Sequence, residues 1–146
     1  MHLTENSFDK IKLCNKKFPQ FLDIFKEIHQ NLTEFMNDPK SPLTAFIIHD
    51  LENGSFCVEN FGIILKFTLF MSLVNDAPLG EVIVYKTKPK FGLQDKLIGS
   101  FNFKSNGATN FEYDQTKEEP HHASYMAPEI ICHYFLEALK GEDIQA

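Results

Sequence analysis

From Ile63 to Val74 the chain reads IILKFTLFMSLV, and its side chains alternate. Ile63, Leu65, Phe67, Leu69, Met71 and Leu73 fall on one side, while Lys66, Thr68 and Ser72 fall on the other. A period of two is that of a strand, whose successive side chains point to opposite faces. A strand this long with one wholly apolar side needs a second layer against that side. The run is too short and too often broken by polar residues to cross a membrane as a helix.

Neighbouring segments supply partners for it. LTAFIIHD, 43–50, reads as a strand, and Asn53-Gly54 is the dipeptide favoured in a two-residue hairpin turn. FCVENFG, 56–62, returns, with Gly62 as a bulge or bend. NDAPLG, 75–80, is a turn; EVIVYKTK, 81–88, and KLIGSFNFKS, 96–105, are further strands. Asn106-Gly107 signals another hairpin into TNFEYD, 109–114.

Helical periods flank these strands. Residues 7–17 suit a short helix with Phe8, Ile11 and Cys14 on one side, and a break is expected at Phe18, because the residue before a proline disfavours helical geometry. Pro19 then opens a second helix, carrying Phe21, Leu22, Phe25, Ile28, Leu32, Phe35 and Met36 at offsets of three, four and seven up to Asn37. Near the other end, Pro128 and Glu129 suit a first helical turn. Ile130, Ile131, Tyr134, Phe135, Ala138 and Leu139 form its stripe, and Gly141 terminates it. The chain is therefore expected to be a single α+β domain over 1–146 with short polar tails: an N-terminal amphipathic helix, an antiparallel meander of about five strands, and a C-terminal helix packed on the sheet.

The second face of that sheet carries the functional clue. If water covered it, it would be polar. Instead Ile64, Phe70, Ile83, Tyr85 and Ile98 fall there, mixed with Lys66, Thr68, Thr87 and Asn102. Three coverings are open. The helices take opposite faces; both helices share one face and a second copy takes the other; or a curved sheet keeps a pocket for a small apolar ligand. This assignment assumes an unbroken register, since a slip of one residue exchanges the faces.

Charge and composition narrow the partners. The formal net charge is −6 and all 14 basic residues are lysine, which disfavours polyanions and leaves no arginine fork for phosphates or guanine edges. No nucleic acid and no membrane are expected as partners. Lys86, Lys88, Lys90 and Lys96, with Tyr85 and Phe91, gather around one turn, but on an acidic chain they read as a solvated hairpin with lysines guarding its edges. Cys14, Cys57 and Cys132 are odd in number and widely spaced, which suits free thiols and a cytoplasmic location.

The one chemically dense stretch is EEPHHASYMAPEIICHYF, 118–135, with His121, His122, Cys132 and His133. Adjacent helical side chains diverge by about 100°, so Cys132 and His133 do not converge easily on one ion. No metal and no cofactor are expected: nucleotide-binding glycine loops, H-E-x-x-H and G-x-S-x-G are all lacking. A Cys/His nucleophile pair can be drawn from Cys57 or Cys132 with His49 or His121, but three cysteines and six histidines give many such combinations by chance. The leading expectation is a non-enzymatic interaction module, a homodimer or a binder of another protein, through Ile64, Phe70, Ile83, Tyr85 and Ile98. The alternative is a cavity protein for a small apolar ligand, in one form an enzyme, with His49, His121 and His122 as candidates for a histidine at the pocket mouth.

Overall fold

The computed structural model describes residues 5–42, 47–52, 54–87, 95–111 and 122–140, with backbone only for 5 and 47–52. It opens on one long helix, α1 (Glu5–Asn37). Strands β2 (Ser55–Asn60), β3 (Ile63–Val74), β4 (Ala77–Thr87) and β5 (Lys96–Phe103) form an antiparallel meander. A short strand, β1 (Ile47–Glu52), joins the free edge of β2. A 3-10 turn, Ala123–Met126, leads directly into α2 (Ala127–Leu139). The expected order of helix, antiparallel meander and helix is observed.

The helix break expected at Phe18 does not occur, and Pro19 lies inside α1. A proline there removes one backbone hydrogen bond, but the apolar positions on its two sides are in phase. Cys14, Phe18, Phe21 and Phe25 follow at steps of four, three and four, so one straight helix keeps them on a common side. Phe21 and Phe25 are fully buried, and Lys10 Nζ reaches Asp76 at 2.9 Å in the β3–β4 turn. Burial of Phe21 and Phe25 fixes the helix on one side of the proline, and the exposed ion pair tethers it on the other.

The tight turns follow the positive-φ rule. Gly54 sits at φ 72° between β1 and β2, and Asn75 and Asp76 at 51° and 63° close the β3–β4 hairpin. Gly62 is neither bulge nor bend: with Phe61 it makes a two-residue turn, Phe61 at φ 56° and Gly62 at 72°. Gly107, at φ 90°, turns the chain after β5. Among the described residues, the segment that returns makes only isolated bridges, Phe103 to Thr109 and Ala108 to His122. Residues 43–46 of the first strand segment, 112–114 of the last, and Gly141 lie outside the described residues.

Both helices cover the same face of the sheet. Phe56 and Val58 of β2, Leu65, Phe67 and Leu69 of β3, Val82 and Val84 of β4, and Phe101 and Phe103 of β5 are buried beneath them. Rings carry much of this layer. Phe56 stacks on Phe67 at 4.9 Å, Phe25 and His29 of α1 meet Phe56, and Tyr134 of α2 meets Phe67 and Phe101. Gly99 makes room for this arrangement, since a Cβ there would stand 2.8 Å from the Tyr134 ring. Burial, with a smaller contribution from Glu137, pushes the Tyr134 phenol up to about 12. Of the three coverings open to the second face, helices on opposite faces is therefore eliminated for the described elements.

Candidate functional site

The register sets out the uncovered face row by row. Glu59, Ile64 and Thr87 form one row; Cys57, Lys66, Tyr85 and Leu97 the next. Ser55, Thr68, Ile83 and Ser100 follow, then Phe70, Glu81 and Asn102. Leu97, Tyr85, Ile83 and Phe70 thus run diagonally across three strands, and Ile64 stands diagonal to Tyr85. Phe70 is 45% exposed and Leu97 59%, while Ile64, Ile83 and Tyr85 are half-buried by their neighbours. No described helix or loop packs over this diagonal.

Four of the five residues assigned to this face from alternation lie on it: Ile64, Phe70, Ile83 and Tyr85. Ile98 does not. The pairing of β4 with β5 shifts between Val84 and Tyr85, so that Val84 faces Gly99 and Tyr85 faces Leu97. Ile98 is the extra residue of that bulge and packs against the core. Leu97 takes its place beside Tyr85. A bulge inserts one residue and changes side-chain parity beyond it, so even spacing along the strand points to the wrong neighbour.

The histidines and cysteines are dispersed. His122 caps the 3-10 turn: its Nδ1 accepts from the Ser124 backbone N–H at 3.2 Å and lies 2.7 Å from Ser124 Oγ. Its ring fills the space over Gly107, where a Cβ would stand 2.0 Å from the ring. Asn31 of α1 donates to the Ser124 carbonyl at 2.8 Å and fixes the turn to the helix layer. His122 therefore serves the scaffold, capping the turn and filling the space over Gly107. His49 pairs with Cys57 across β1 and β2, and its side chain, like the whole of His121, lies outside the described residues. His133 is exposed and packs edge-on against Phe111 at 5.3 Å. Cys132 instead lines a depression with Phe35, Pro128 and Glu129, so the two neighbours on α2 serve different surroundings. Among the described residues, no group of three or more His, Cys, Asp or Glu side chains converges as metal ligands would.

Burial pushes the Cys57 thiol up, with Lys66 opposing and Asp95 assisting. Burial and then Glu129 push the Cys132 thiol up as well. A nucleophilic cysteine needs the opposite shift. Lys86 also leaves the lysine cluster: it is buried on the core face, and its Nζ donates to the Ala138 carbonyl at 3.3 Å. That places a cation at the C-terminal end of α2, which has no basic residue in its own last turn. Lys88, Lys90 and Phe91 lie outside the described residues.

The depression by Cys132 holds about 220 Å³, below the 300–1,000 Å³ or so of typical ligand pockets. No described helix is long and apolar enough to cross a membrane. Compared with protein-family models, curated proteins and solved structures, the chain matches none.

Proposed function

We propose that this protein is a cytoplasmic, non-enzymatic interaction module that works as a homodimer through the open face of its sheet. One observation carries the reading. Both helices lie on one face, and the other presents the uncovered diagonal Leu97, Tyr85, Ile83 and Phe70, with Ile64 beside it. An apolar patch with aromatic anchors, rimmed by Glu59, Lys66 and Glu81, has the anatomy of a protein contact. A two-fold axis lying between two copies, parallel to the sheet and along this diagonal, would set the diagonal against itself, as an isologous interface requires. The other class of function, a cavity for a small apolar molecule, has less support, because the helix layer is filled by packed rings and aliphatic side chains.

The test is sedimentation velocity over a concentration series. Wild-type protein is expected to dimerise. Phe70→Asp and Ile83→Lys should each weaken dimerisation roughly tenfold or more, as loss of a central anchor does, with unchanged circular dichroism. Variants that dimerise as the wild type does would remove this face from the interface.

A further inference from the structure

A second apolar surface lies far from the sheet face. The first buried residue of α1 is Phe21, and residues 6–20 include none. This part of the helix overhangs the body beside a two-stranded ribbon, because residues 72–79 of the β3–β4 hairpin have no third strand in their rows. On this arm Phe8, Ile11 and Phe18 are exposed, Ile11 by 61%. They stand at steps of three and seven along one side of the helix. Lys12 and Lys16 border that stripe, and residues 5–18 carry four lysines against two carboxylates in a chain whose net charge is −6.

The opposite pole carries a counterpart. The apolar arc of α2 is wider than the core can cover: behind the buried Ile131, Phe135 and Ala138, Leu136 and Leu139 face outward, with the half-buried Cys132 in line with them. Leu136 is 65% exposed. Phe61, held in its left-handed turn against Phe135, extends this stripe at one end, and the depression at Phe35 extends it at the other. Glu129 borders it, and its Oε2 is buried there without a hydrogen-bond partner.

An arm with an apolar stripe and lysine borders thus sits at one end of β3, and an acceptor with an apolar stripe bordered by a carboxylate at the other. Because α1 is a single helix through Pro19, the arm cannot fold back onto its own α2. We infer that the arm of one copy docks, apolar stripe first, on the outer stripe of α2 of a second copy. Its lysines then meet Glu129, the helix-in-groove mode of recognition. Two copies lying antiparallel make this contact twice about a two-fold axis. The contact does not use the open sheet face.

The three cysteines separate the two surfaces: Cys14 lies on the arm, Cys132 on the α2 stripe and Cys57 on the sheet face. A mixture of ¹⁴N- and ¹⁵N-labelled full-length protein is treated with a short bismaleimide and digested, and the linked peptides are read by mass. Docking requires isotopically hybrid Cys14–Cys132 peptides. Their yield should drop roughly tenfold in Ile11→Asp and in Leu136→Asp, both exposed sites, with folding checked by circular dichroism, and should persist in Phe70→Asp. Mixing the Ile11→Asp and Leu136→Asp proteins should restore the link, because each retains the half that the other lacks. A link that is absent, that joins only peptides of the same isotope, or that survives both variants overturns the proposal. Cys57–Cys57 peptides report on the sheet face separately.

Discussion

The two faces of one sheet, built from alternate residues of the same strands, have different fates. On the covered face, Phe67 lies between Phe56 and Tyr134 and is 1% exposed. On the other, Phe70, three residues along the same strand, is 45% exposed. Side-chain chemistry is the same and the layer above differs. Hydrophobicity alone therefore does not say which aromatic residues hold the fold together; the position of the helices does. An apolar residue on the covered face contributes to folding, and one on the open face is available for association.

That contrast is tested hardest at the two phenylalanines. Phe67→Ala should destabilise the protein by about 3–5 kcal/mol, the usual cost of emptying a buried aromatic site. Phe70→Ala should stay within about 0.5 kcal/mol, as exposed substitutions do. Urea unfolding at a concentration low enough to keep the protein monomeric measures both. Equal losses would mean that the faces are not different in kind.

Alkali probes the covered face by a second route. The Tyr134 phenol is pushed from 10.0 to about 12 in the folded protein, so folding favours its protonated form. The stabilisation is complete below pH 10 and is lost as the pH rises through 12. Its loss should amount to about 2 kcal/mol across that window. Tyr134→Phe should flatten the decline, while Tyr85→Phe, on the open face, should leave it in place.

Two smaller effects separate scaffold from surface. His122→Ala removes a cap and a ring packed over Gly107, and should lower stability by about 1–2 kcal/mol without changing association. A loss of association with unchanged stability would instead return His122 to a functional role. At Phe61, asparagine relieves the positive-φ strain but forfeits the ring contact with Phe135, so Phe61→Asn should stay within about 0.5 kcal/mol of wild type. Phe61→Ala keeps the strain and loses the ring, and should cost about 1 kcal/mol.

Much of the fold is legible in the sequence because period and turn chemistry are local properties. The alternation from Ile63 to Val74 identifies the buried side of β3, and the stripe from Phe21 to Met36 identifies the packed half of α1. What escapes local reading is set by contacts distant in sequence. Phe18 and Pro19 announce a break, yet α1 continues because Phe21 and Phe25 anchor it on one side and Asp76 holds Lys10 on the other. Ile98 and Leu97 exchange places because strand pairing slips by one residue against β4. Lys86 reads as a solvated turn residue, but it reaches the end of α2, whose position no nearby residue encodes. The candidate face itself was readable as far as Ile64, Phe70, Ile83 and Tyr85. Whether a helix covered it was not, since alternation gives the character of a face but not its neighbour.

The most direct measurement is the rate at which Cys57 reacts with a maleimide as protein concentration is raised. Cys57 lies on the open face in the same row as Lys66, Tyr85 and Leu97. If a second copy covers this face, the rate falls as dimer forms, and in Phe70→Asp it stays at the monomer value throughout. A Cys57 rate that does not change with concentration, in protein that sedimentation shows to be associated, would contradict the assignment of this face as the dimer surface.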